Sequence, residues 1–320
     1  MQNNDVLIIA SGGGHTGFAR AIAEYLPFKV DFVIPEGDKS SEELLKPFAN
    51  KFYYVKKGKE PDQSNLTLLL NLPKILLESL KIGKYRVVIA TGSNHSLFPA
   101  LALKMKGSKL FAIESQDRIV TKGKTVEILS RFSQNVFLHW EEQKRLYPKK
   151  GLVVGPIVGK PKYESRDDGF ILVTTGTMGF KRLFDAIVSL GLKEVVLQTG
   201  KVDPRPYIEK GFKAFSFDPD IEKYISRASL VITHQGKTAM EAVVMYRKPT
   251  IIVYNNDWKY AATKEDSKRY AEILGATFLD DPSEWSSVKV LEEAIKNAKP
   301  PKDHDIGTPK LVKRVLEELK

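Results

Sequence analysis

The chain has 320 residues, of which 42% are hydrophobic, and it carries a formal net charge of +11 at pH 7. This length predicts two domains rather than one core, and the hydrophobic fraction is that of an ordinary globular protein. The lack of cysteine excludes disulfides, zinc–thiolate sites and thiol catalysis, while the positive charge predicts an anionic partner: nucleic acid, an anionic membrane or a phosphorylated substrate.

The first half of the chain alternates short apolar runs with longer mixed segments. Strands are predicted at 5–10, 30–34, 52–55, 87–91, 109–114 and 136–138, and helices at 18–25, 66–80 and 97–104. Such alternation predicts a parallel, doubly wound sheet. No apolar stretch reaches the ~18–20 residues that span a bilayer, and the polar N-terminus does not resemble a signal peptide, so we expect a cytoplasmic protein without a transmembrane helix.

The alternation of predicted strands and helices is interrupted at residues 151–159 (GLVVGPIVG) and then resumes. Strands of the second half are predicted at 170–174, 194–198, 214–217, 230–233, 250–254 and 277–279. We therefore predict domains at 1–158 and 159–320, both Rossmann-like, facing each other across a cleft. Thr308 as N-cap before Pro309 predicts a last helix at about 308–320, able to pack back on the first domain.

A glycine-rich turn, residues 11–17 (SGGGHTG), follows the first strand. Glycines let the backbone approach a ligand, and the next helix N-terminus favours an anion. The spacing of Gly12, Gly14 and Gly17, with Glu36 after the next strand, also satisfies the pattern of dinucleotide-binding folds. A tight turn without a ligand is the third interpretation.

His15 distinguishes these interpretations, because a dinucleotide turn needs no imidazole. A group-transfer enzyme needs a base near neutral pH to deprotonate an acceptor hydroxyl, and a helix N-terminus keeps histidine neutral. Glu114 ends an apolar strand where ligands of open α/β sheets bind, so it is a second catalytic candidate; the alternative is an ion pair with Arg118. The segment 91–96 (TGSNHS) ends a neighbouring strand, and His95 could cap the helix that follows.

Three strand ends of the second half are polar and glycine-containing. They are 174–180 (TTGTMGF), 198–201 (QTGK) and 234–241 (HQGKTAME). A P-loop is excluded, because Val231 occupies the position of its first glycine. The set predicts a nucleotide-diphosphate cradle in which Gly236 allows close approach, Thr238 and helix N–H groups bind phosphate, and Glu241 grips ribose hydroxyls.

The predicted helix 66–80 (LTLLLNLPKILLESL) is more apolar than a surface helix requires. Nearby lysines are Lys56, Lys57, Lys59, Lys74, Lys81 and Lys84. An apolar patch with a basic rim is typical of interfacial membrane binding. The alternative is a core helix with a solvated charged flank.

Longer runs of the sequence resemble a known family. TTGTMGF, LQTGK, FDPDIEKYISRASLVITHQGKTAMEAV and RKPTIIVYN resemble the catalytic subunit of the eukaryotic UDP-GlcNAc transferase that makes dolichol-linked chitobiose. SGGGHTG, the TGSN strand end and AIESQDR resemble its membrane-anchoring partner subunit. The bacterial transferase that adds GlcNAc to the lipid-linked cell-wall precursor is a more distant relative.

The resemblance implies a GT-B fold and an inverting transfer of GlcNAc from UDP-GlcNAc to a polyprenyl-linked sugar, forming a β-1,4-linked disaccharide for N-glycosylation. It implies no obligatory metal or other cofactor, no nucleic-acid partner, and peripheral attachment to the cytoplasmic membrane face. His15 and Glu114 match the catalytic positions. The implied donor-binding residues are Gly176, Thr177, Gln198, Gly200, His234, Gly236, Lys237, Thr238 and Glu241. The implied acceptor-binding residues are Gly13, Gly14, Thr16, Gly92, Ser93 and Asn94.

The sequence departs from the family pattern in the donor loop, which is one residue shorter between His234 and Glu241 and carries Lys237 where a small residue is usual. The partner subunit's transmembrane helix has no counterpart, and fusion of both halves in a cysteine-free chain favours an archaeal or bacterial source. Three other functions remain open: a UDP-GlcNAc 2-epimerase of the same fold, a nicotinamide-dependent oxidoreductase, and a sugar-nucleotide-binding adaptor without activity.

Overall fold

The structure, a computed structural model, describes residues 5–58 and 65–320, and only the backbone of 65–69. Lys59 and the side chains of residues 66–69 therefore lie outside the described part. The strands are β1 Val6–Ile9, β2 Val30–Pro35, β3 Ala49–Val55, β4 Val87–Ala90, β5 Lys109–Ile113, β6 Val136–Leu138, β7 Gly151–Val153, β8 Ile171–Thr174, β9 Val195–Gln198, β10 Lys213–Phe215, β11 Leu230–His234, β12 Thr250–Val253 and β13 Thr277–Leu279. The helices are α1 Gly13–Tyr25, α2 Lys39–Leu45, α3 Asn65–Lys81, α4 Ser93–Met105, α5 Lys124–Ser130, α6 Lys181–Ser189, α7 Arg205–Ile208, α8 Glu222–Ile225, α9 Lys237–Tyr246, α10 Lys264–Leu274, α11 Lys289–Lys296 and α12 Thr308–Glu317.

The described chain divides into two compact units, each built on one parallel sheet. The first unit runs to residue 115 and adds 122–159 and 306–320; the second comprises 116–121 and 160–305. The strand orders are β3-β2-β1-β4-β5-β6-β7 and β10-β9-β8-β11-β12-β13. Both orders reverse beside the first strand of the unit, which is the doubly wound Rossmann arrangement. The predicted fold class, two Rossmann-like domains with parallel sheets, is confirmed.

The central strands are continuous apolar runs because helices cover both faces of each sheet. All four residues of β1 (VLII) and of β4 (VVIA) are buried. In the register, Ile8 pairs with Phe32 of β2 on one side and with Ile89 of β4 on the other. These interior strands hold the C-terminal strand ends in fixed positions, and the candidate sites lie at those ends.

Residues 151–153 differ from the prediction, which assigned them to the exit from the first domain. They form β7, which pairs with β6 through Phe137 and Leu152. A Cβ on Gly151 would lie 2.7 Å from both the Leu138 side chain and the Tyr147 carbonyl oxygen. The glycine that suggested a linker is therefore a packing requirement of an edge strand.

Two helices begin earlier than predicted. α1 begins at Gly13 rather than Phe18, and α4 begins at Ser93 rather than Leu97. Glycine and serine have low helix propensity, so sequence patterns assign such segments to turns. The consequence is that His15 stands in the first turn of α1, close to the helix N-terminus.

Thr308 does not act as the predicted N-cap of the last helix. Gly307 occupies the cap position, and Thr308 is the first helical residue. The buried Thr308 hydroxyl donates to the Val158 carbonyl (2.6 Å) and accepts from the Val158 N–H (3.0 Å). The hydroxyl therefore bonds to Val158, in the segment that follows β7, instead of capping the helix. The helix itself, α12, packs on α1 within the first unit.

An ion pair between a half-exposed arginine and a buried carboxylate joins α6 to the loop after β13, and its loss is expected to destabilise the second unit. Arg182 donates from Nε and Nη2 to the two carboxylate oxygens of Asp281 (3.0 and 2.8 Å). Burial opposes ionisation of Asp281, but hydrogen bonds from Arg182, the Asn256 N–H and Ser283 outweigh it and lower its pKa to about 2. We expect Arg182→Met to lower the free energy of unfolding by on the order of 2–3 kcal/mol, less than the ~3–5 kcal/mol of a fully buried pair, because the Arg182 side chain is 39% exposed.

Urea denaturation at several pH values measures this effect. The pKa of Asp281 is depressed on folding, so the stabilisation is present above its ordinary pKa of 3.8 and is lost as pH falls through about 2. The difference in free energy of unfolding between wild type and Arg182→Met should therefore disappear as pH falls to about 2. Arg205→Met, which removes an exposed pair with Asp203, is the control and should have little effect. A gap that does not change with pH would contradict the assignment to this pair.

Candidate functional site

The candidate site of the first unit lies where its strand order reverses, between the C-terminal ends of β1 and β4. Ligands of doubly wound sheets bind at this switch point. Gly12, with φ of +87°, leads from β1 into α1, and Gly92, with φ of +99°, leads from β4 into α4. The His15 ring crosses from the α1 side to the β4 side, where its Nδ1 lies 2.6 Å from the Thr91 carbonyl oxygen.

This hydrogen bond determines which nitrogen of His15 carries the proton. A carbonyl oxygen only accepts, so Nδ1 carries the hydrogen and Nε2 keeps a lone pair that can accept a proton. Burial lowers the pKa of His15 below its ordinary value of 6.5, and the bond to Thr91 opposes this in part. The ring is therefore neutral at neutral pH, as a general base requires.

The glycine turn that carries His15 is supported from below by a chain of hydrogen bonds. The Gly12 N–H donates to the Thr16 hydroxyl (3.1 Å), which lies 2.7 Å from the Ser41 hydroxyl. Ser41 in turn donates to Asp38 (2.6 Å). Thr16 is 1% exposed, so it supports the turn, whereas the exposed Gly13 and Gly14 form its surface. Asp38 is also the N-cap of α2, and the sequence analysis singled out neither this role nor its link to the glycine turn.

The residues after β4 form the other side of this site. Ser93 is held at a φ of +65°, a strained value for a residue with a side chain, and Asn94 accepts a hydrogen bond from Thr125 (3.3 Å). His95 does not cap α4. Its Nε2 donates to the Val55 carbonyl (3.0 Å), and burial lowers its pKa to about 4.

Glu114 lies at the C-terminal end of β5, as predicted, but its carboxylate is engaged within the protein. Oε1 accepts from the Ser115 N–H (2.8 Å) and Oε2 accepts from the Gly123 N–H (3.0 Å) and the Tyr147 hydroxyl. Ser115 and Gly123 flank residues 116–121, which belong to the second unit, so these contacts hold the chain on both sides of that segment. The catalytic role of Glu114 stays a prediction.

The second unit repeats the arrangement at its own switch point, between β8 and β11. Four buried polar atoms at the ends of three adjacent strands have no hydrogen-bond partner within the described protein. They are Thr175 Oγ1, Gln198 Oε1, Thr233 Oγ1 and His234 Nδ1. Leaving a buried polar atom unpaired costs about 1–3 kcal/mol, so such a group of atoms makes these strand ends a candidate for binding a polar ligand. Burial also lowers the pKa of His234 to about 4, which keeps its ring neutral.

Glycines make this strand end compact. Gly176 and Gly200 have φ of +71° and +61°. A Cβ on Gly200 would lie 2.6 Å from the carbonyl oxygens of both Gly176 and Thr177. The loops after β8 and β9 therefore touch through their backbones, and Thr177 is exposed at their surface.

The N-terminus of α9 faces the same strand ends. Gly236 precedes the helix in extended conformation, and no side chain in the described part of the chain caps the first N–H groups of α9. Lys237, the first helical residue, pairs with Glu241 one turn later. Tyr270 of α10, which sequence patterns did not single out, supports this turn by donating to the Gly236 carbonyl (3.1 Å).

A cavity of about 1050 Å³ in the second unit lies elsewhere. Its walls include Phe170, Glu194 and Lys213, which stand at the N-terminal ends of β8, β9 and β10. None of the predicted site residues lines it. The candidate site is therefore identified by its polar chemistry rather than by the size of the cavity.

The dinucleotide interpretation of the first glycine turn loses support in the structure. Its ribose-binding acid would be Glu36, whose carboxylate instead accepts from the Lys74 ammonium (2.8 Å) on the surface. Asp38 is engaged by the Ser41 N–H and hydroxyl. Both carboxylates are thus paired within the described part of the protein.

Comparison with known proteins agrees with this description. Residues 170–302 match the model of the glycosyltransferase family 28 C-terminal domain. The chain is 25% identical to the UDP-N-acetylglucosamine–N-acetylmuramyl-(pentapeptide) pyrophosphoryl-undecaprenol N-acetylglucosamine transferase of Caldicellulosiruptor saccharolyticus, over 91% of this chain and 88% of that one. It is 29% identical to the enzyme of the same name from Myxococcus xanthus, over 59% of this chain and 55% of that one.

Solved structures show the same fold. Acinetobacter baumannii MurG superposes with a TM-score of 0.64 at 18% identity, and UDP-GlcNAc 2-epimerase from Neisseria meningitidis with 0.63 at 15%; each match covers 98% of this chain and 99% of the other. The family match and the sequence relatives confirm the predicted enzyme class. The protein is a glycosyltransferase of GT-B fold, and its residues 170–302 match the model of the glycosyltransferase family 28 C-terminal domain.

Proposed function

We propose that the protein transfers GlcNAc from UDP-GlcNAc to a sugar carried on a polyprenyl (pyro)phosphate, at the cytoplasmic face of the membrane. The observation that supports this most directly is the cluster of unpaired polar atoms at the ends of β8, β9 and β11. That cluster lies in the unit that matches the family 28 domain. The relatives from Caldicellulosiruptor and Myxococcus bear the name of an enzyme with this donor and a lipid-linked acceptor.

In this proposal the second unit holds the donor. The diphosphate binds the uncapped N-terminus of α9, where N–H groups and the helix dipole favour negative charge. The glycines at 176, 200 and 236 let the phosphates approach the backbone, and Glu241 accepts the ribose hydroxyls. In this arrangement the N-terminus of α9 stabilises the negative charge of the leaving UDP.

The first unit holds the acceptor and the base. The acceptor's phosphates bind the exposed N–H groups of Gly13 and Gly14 and the start of α4 at Ser93 and Asn94. The acceptor hydroxyl donates to His15 Nε2. Its oxygen attacks the anomeric carbon as the bond to UDP breaks, the proton passes to His15, and the configuration inverts to a β linkage. Departing UDP keeps the bonding electron pair on its β-phosphate.

For the acceptor we propose a GlcNAc-bearing dolichol-type lipid, so that the product is a β-1,4-linked chitobiose unit for N-glycosylation, as in an archaeal pathway. The resemblance of both halves of the sequence to the two eukaryotic subunits supports this choice. A second candidate is the N-acetylmuramyl-(pentapeptide) pyrophosphoryl-undecaprenol that appears in the names of the relatives.

A transfer assay tests the proposal. The purified chain is incubated with labelled UDP-GlcNAc alone, with GlcNAc-pyrophosphoryl-polyprenol, and with the muramyl-pentapeptide lipid, and products are identified by mass and linkage analysis. Label in a lipid-linked chitobiose supports the full proposal, and label in the muramyl lipid moves it to the second acceptor. Conversion of UDP-GlcNAc without acceptor would indicate an epimerase, and no turnover with binding would indicate an adaptor.

Membrane association is a separate part of the proposal, and it concerns α3. Leu70, Leu77 and Leu80 are 74%, 61% and 52% exposed, whereas Ile75 on the same helix is buried. Met105 of α4 is 83% exposed. Among the described residues no helix is long and apolar enough to cross a bilayer. An exposed leucine stripe with neighbouring lysines favours interfacial binding.

We expect the protein to float with anionic liposomes at low salt and to be released as salt rises, because charges are screened within about 8 Å at physiological ionic strength. The double variant Leu77→Glu, Leu80→Glu should remain in the soluble fraction. Ile208→Glu, an exposed apolar position of the second unit, is the matched control and should float like wild type. Equal binding to neutral liposomes, or none to either, would contradict the prediction.

A further inference from the structure

Lys237 occupies an unusual place for a cation. It is the first residue of α9, where the helix N-terminus already carries partial positive charge and an anion is favoured. Its side chain is only 6% exposed. The ammonium is held there by the Glu241 carboxylate, whose side chain is 22% exposed. Pairing offsets the cost of burying both charges.

The groups around this ion pair favour the binding of a further anion. Among the described residues, no side chain caps α9, and the buried Nδ1 of His234, the last residue of the preceding strand, has no hydrogen-bond partner. His234 itself is neutral at neutral pH, because burial lowers its pKa to about 4. Of the three ionisable side chains on residues 234–241, which are His234, Lys237 and Glu241, Lys237 is therefore the one that can supply a full positive charge.

Building on the proposed donor site, we propose that Lys237 and Glu241 exchange partners when the donor binds. The ammonium leaves Glu241 for the donor diphosphate, and the freed carboxylate accepts the ribose hydroxyls. A diphosphate placed beside an ionised Glu241 would be repelled unless a cation stood with it, and the flexible lysine stem permits the move. As the glycosidic bond breaks, Lys237 also neutralises the charge that develops on the leaving β-phosphate.

The exchange makes opposite predictions for two ligands. With Lys237→Met, UDP should bind at least tenfold more weakly, because its diphosphate loses a cation. Uridine has the ribose but no phosphate. It should bind Lys237→Met as tightly as it binds wild type, or more tightly, because no ion pair must be broken to free Glu241. Lys237→Arg should preserve the preference for UDP over uridine. Calorimetry on the full chain, with uridine measured by displacement of UDP, gives both affinities.

Lys296→Met is the matched control. Lys296 forms the same lysine–glutamate pair one turn apart, with Glu292 on α11 (2.5 Å), and its loss should change neither affinity. Parallel weakening of UDP and uridine in Lys237→Met would show a supporting role only and overturn the exchange. Unchanged UDP affinity in that variant would also overturn it. Failure of the wild-type chain to bind UDP at all would instead overturn the proposed donor function.

Discussion

Replacement of His15 by alanine is expected to lower turnover by about 10²–10⁴-fold, the usual cost of losing a general base. The Thr91 carbonyl fixes the tautomer and leaves Nε2 as the acceptor. The donor is proposed to bind the second unit, so UDP affinity should not change. Single-turnover transfer with labelled UDP-GlcNAc, together with calorimetry of UDP binding, measures both quantities.

The pH dependence offers an independent check on His15. Burial lowers its pKa, so the neutral base form should predominate at pH 7 and transfer should decline only below the ordinary value of 6.5. His15→Ala should abolish that acid limb. Near wild-type turnover in a folded His15→Ala protein would remove His15 from the mechanism and leave Glu114 as the candidate base. Glu114→Ala is a harder test, because Ser115, Gly123 and Tyr147 all donate to its carboxylate.

Gly92→Ala is expected to lower turnover by up to roughly 10-fold, because the His15 ring must shift by a few tenths of an ångström and a displacement of about 1 Å in a catalytic group can cost about 10²-fold. A Cβ on Gly92 would lie 3.0 Å from His15 Cε1 and 3.3 Å from Nδ1, so the ring must shift from the position in which Nδ1 donates to the Thr91 carbonyl. UDP affinity should remain that of wild type. The same transfer and calorimetric measurements apply.

Backbone strain must be separated from the displacement of His15, since Gly92 has a φ of +99°. Gly107→Ala is the matched control. Gly107 has a φ of +89°, and the nearest atom to its Cβ would be the Lys84 side chain at an ordinary 3.9 Å. Both variants place a Cβ on a residue with a positive φ, but only Gly92→Ala should impair transfer. Equal activities for the two variants would refute the role assigned to the His15 position.

Much of this protein follows from the sequence alone. The apolar runs at β1, β4, β8 and β11 predict a parallel sheet, because only strands covered on both faces need so continuous an apolar sequence. The position of His15 after β1 and of the donor motif after β11 also follows, since strand–turn–helix order determines which end of the sheet a turn occupies. Pattern and period are local properties, so the chain order of residues is sufficient to read them.

Tertiary structure decided the features that depend on contacts between distant segments. The tautomer of His15 depends on the Thr91 carbonyl, 76 residues away. The support of its turn depends on Ser41, which is 25 residues from Thr16. Whether Glu114 is free or engaged depends on Gly123 and Tyr147. The conformations of residues 151–153 and Thr308 depend on β6 and Val158, because a glycine or threonine satisfies either a turn or a packed contact equally well until a neighbour is present.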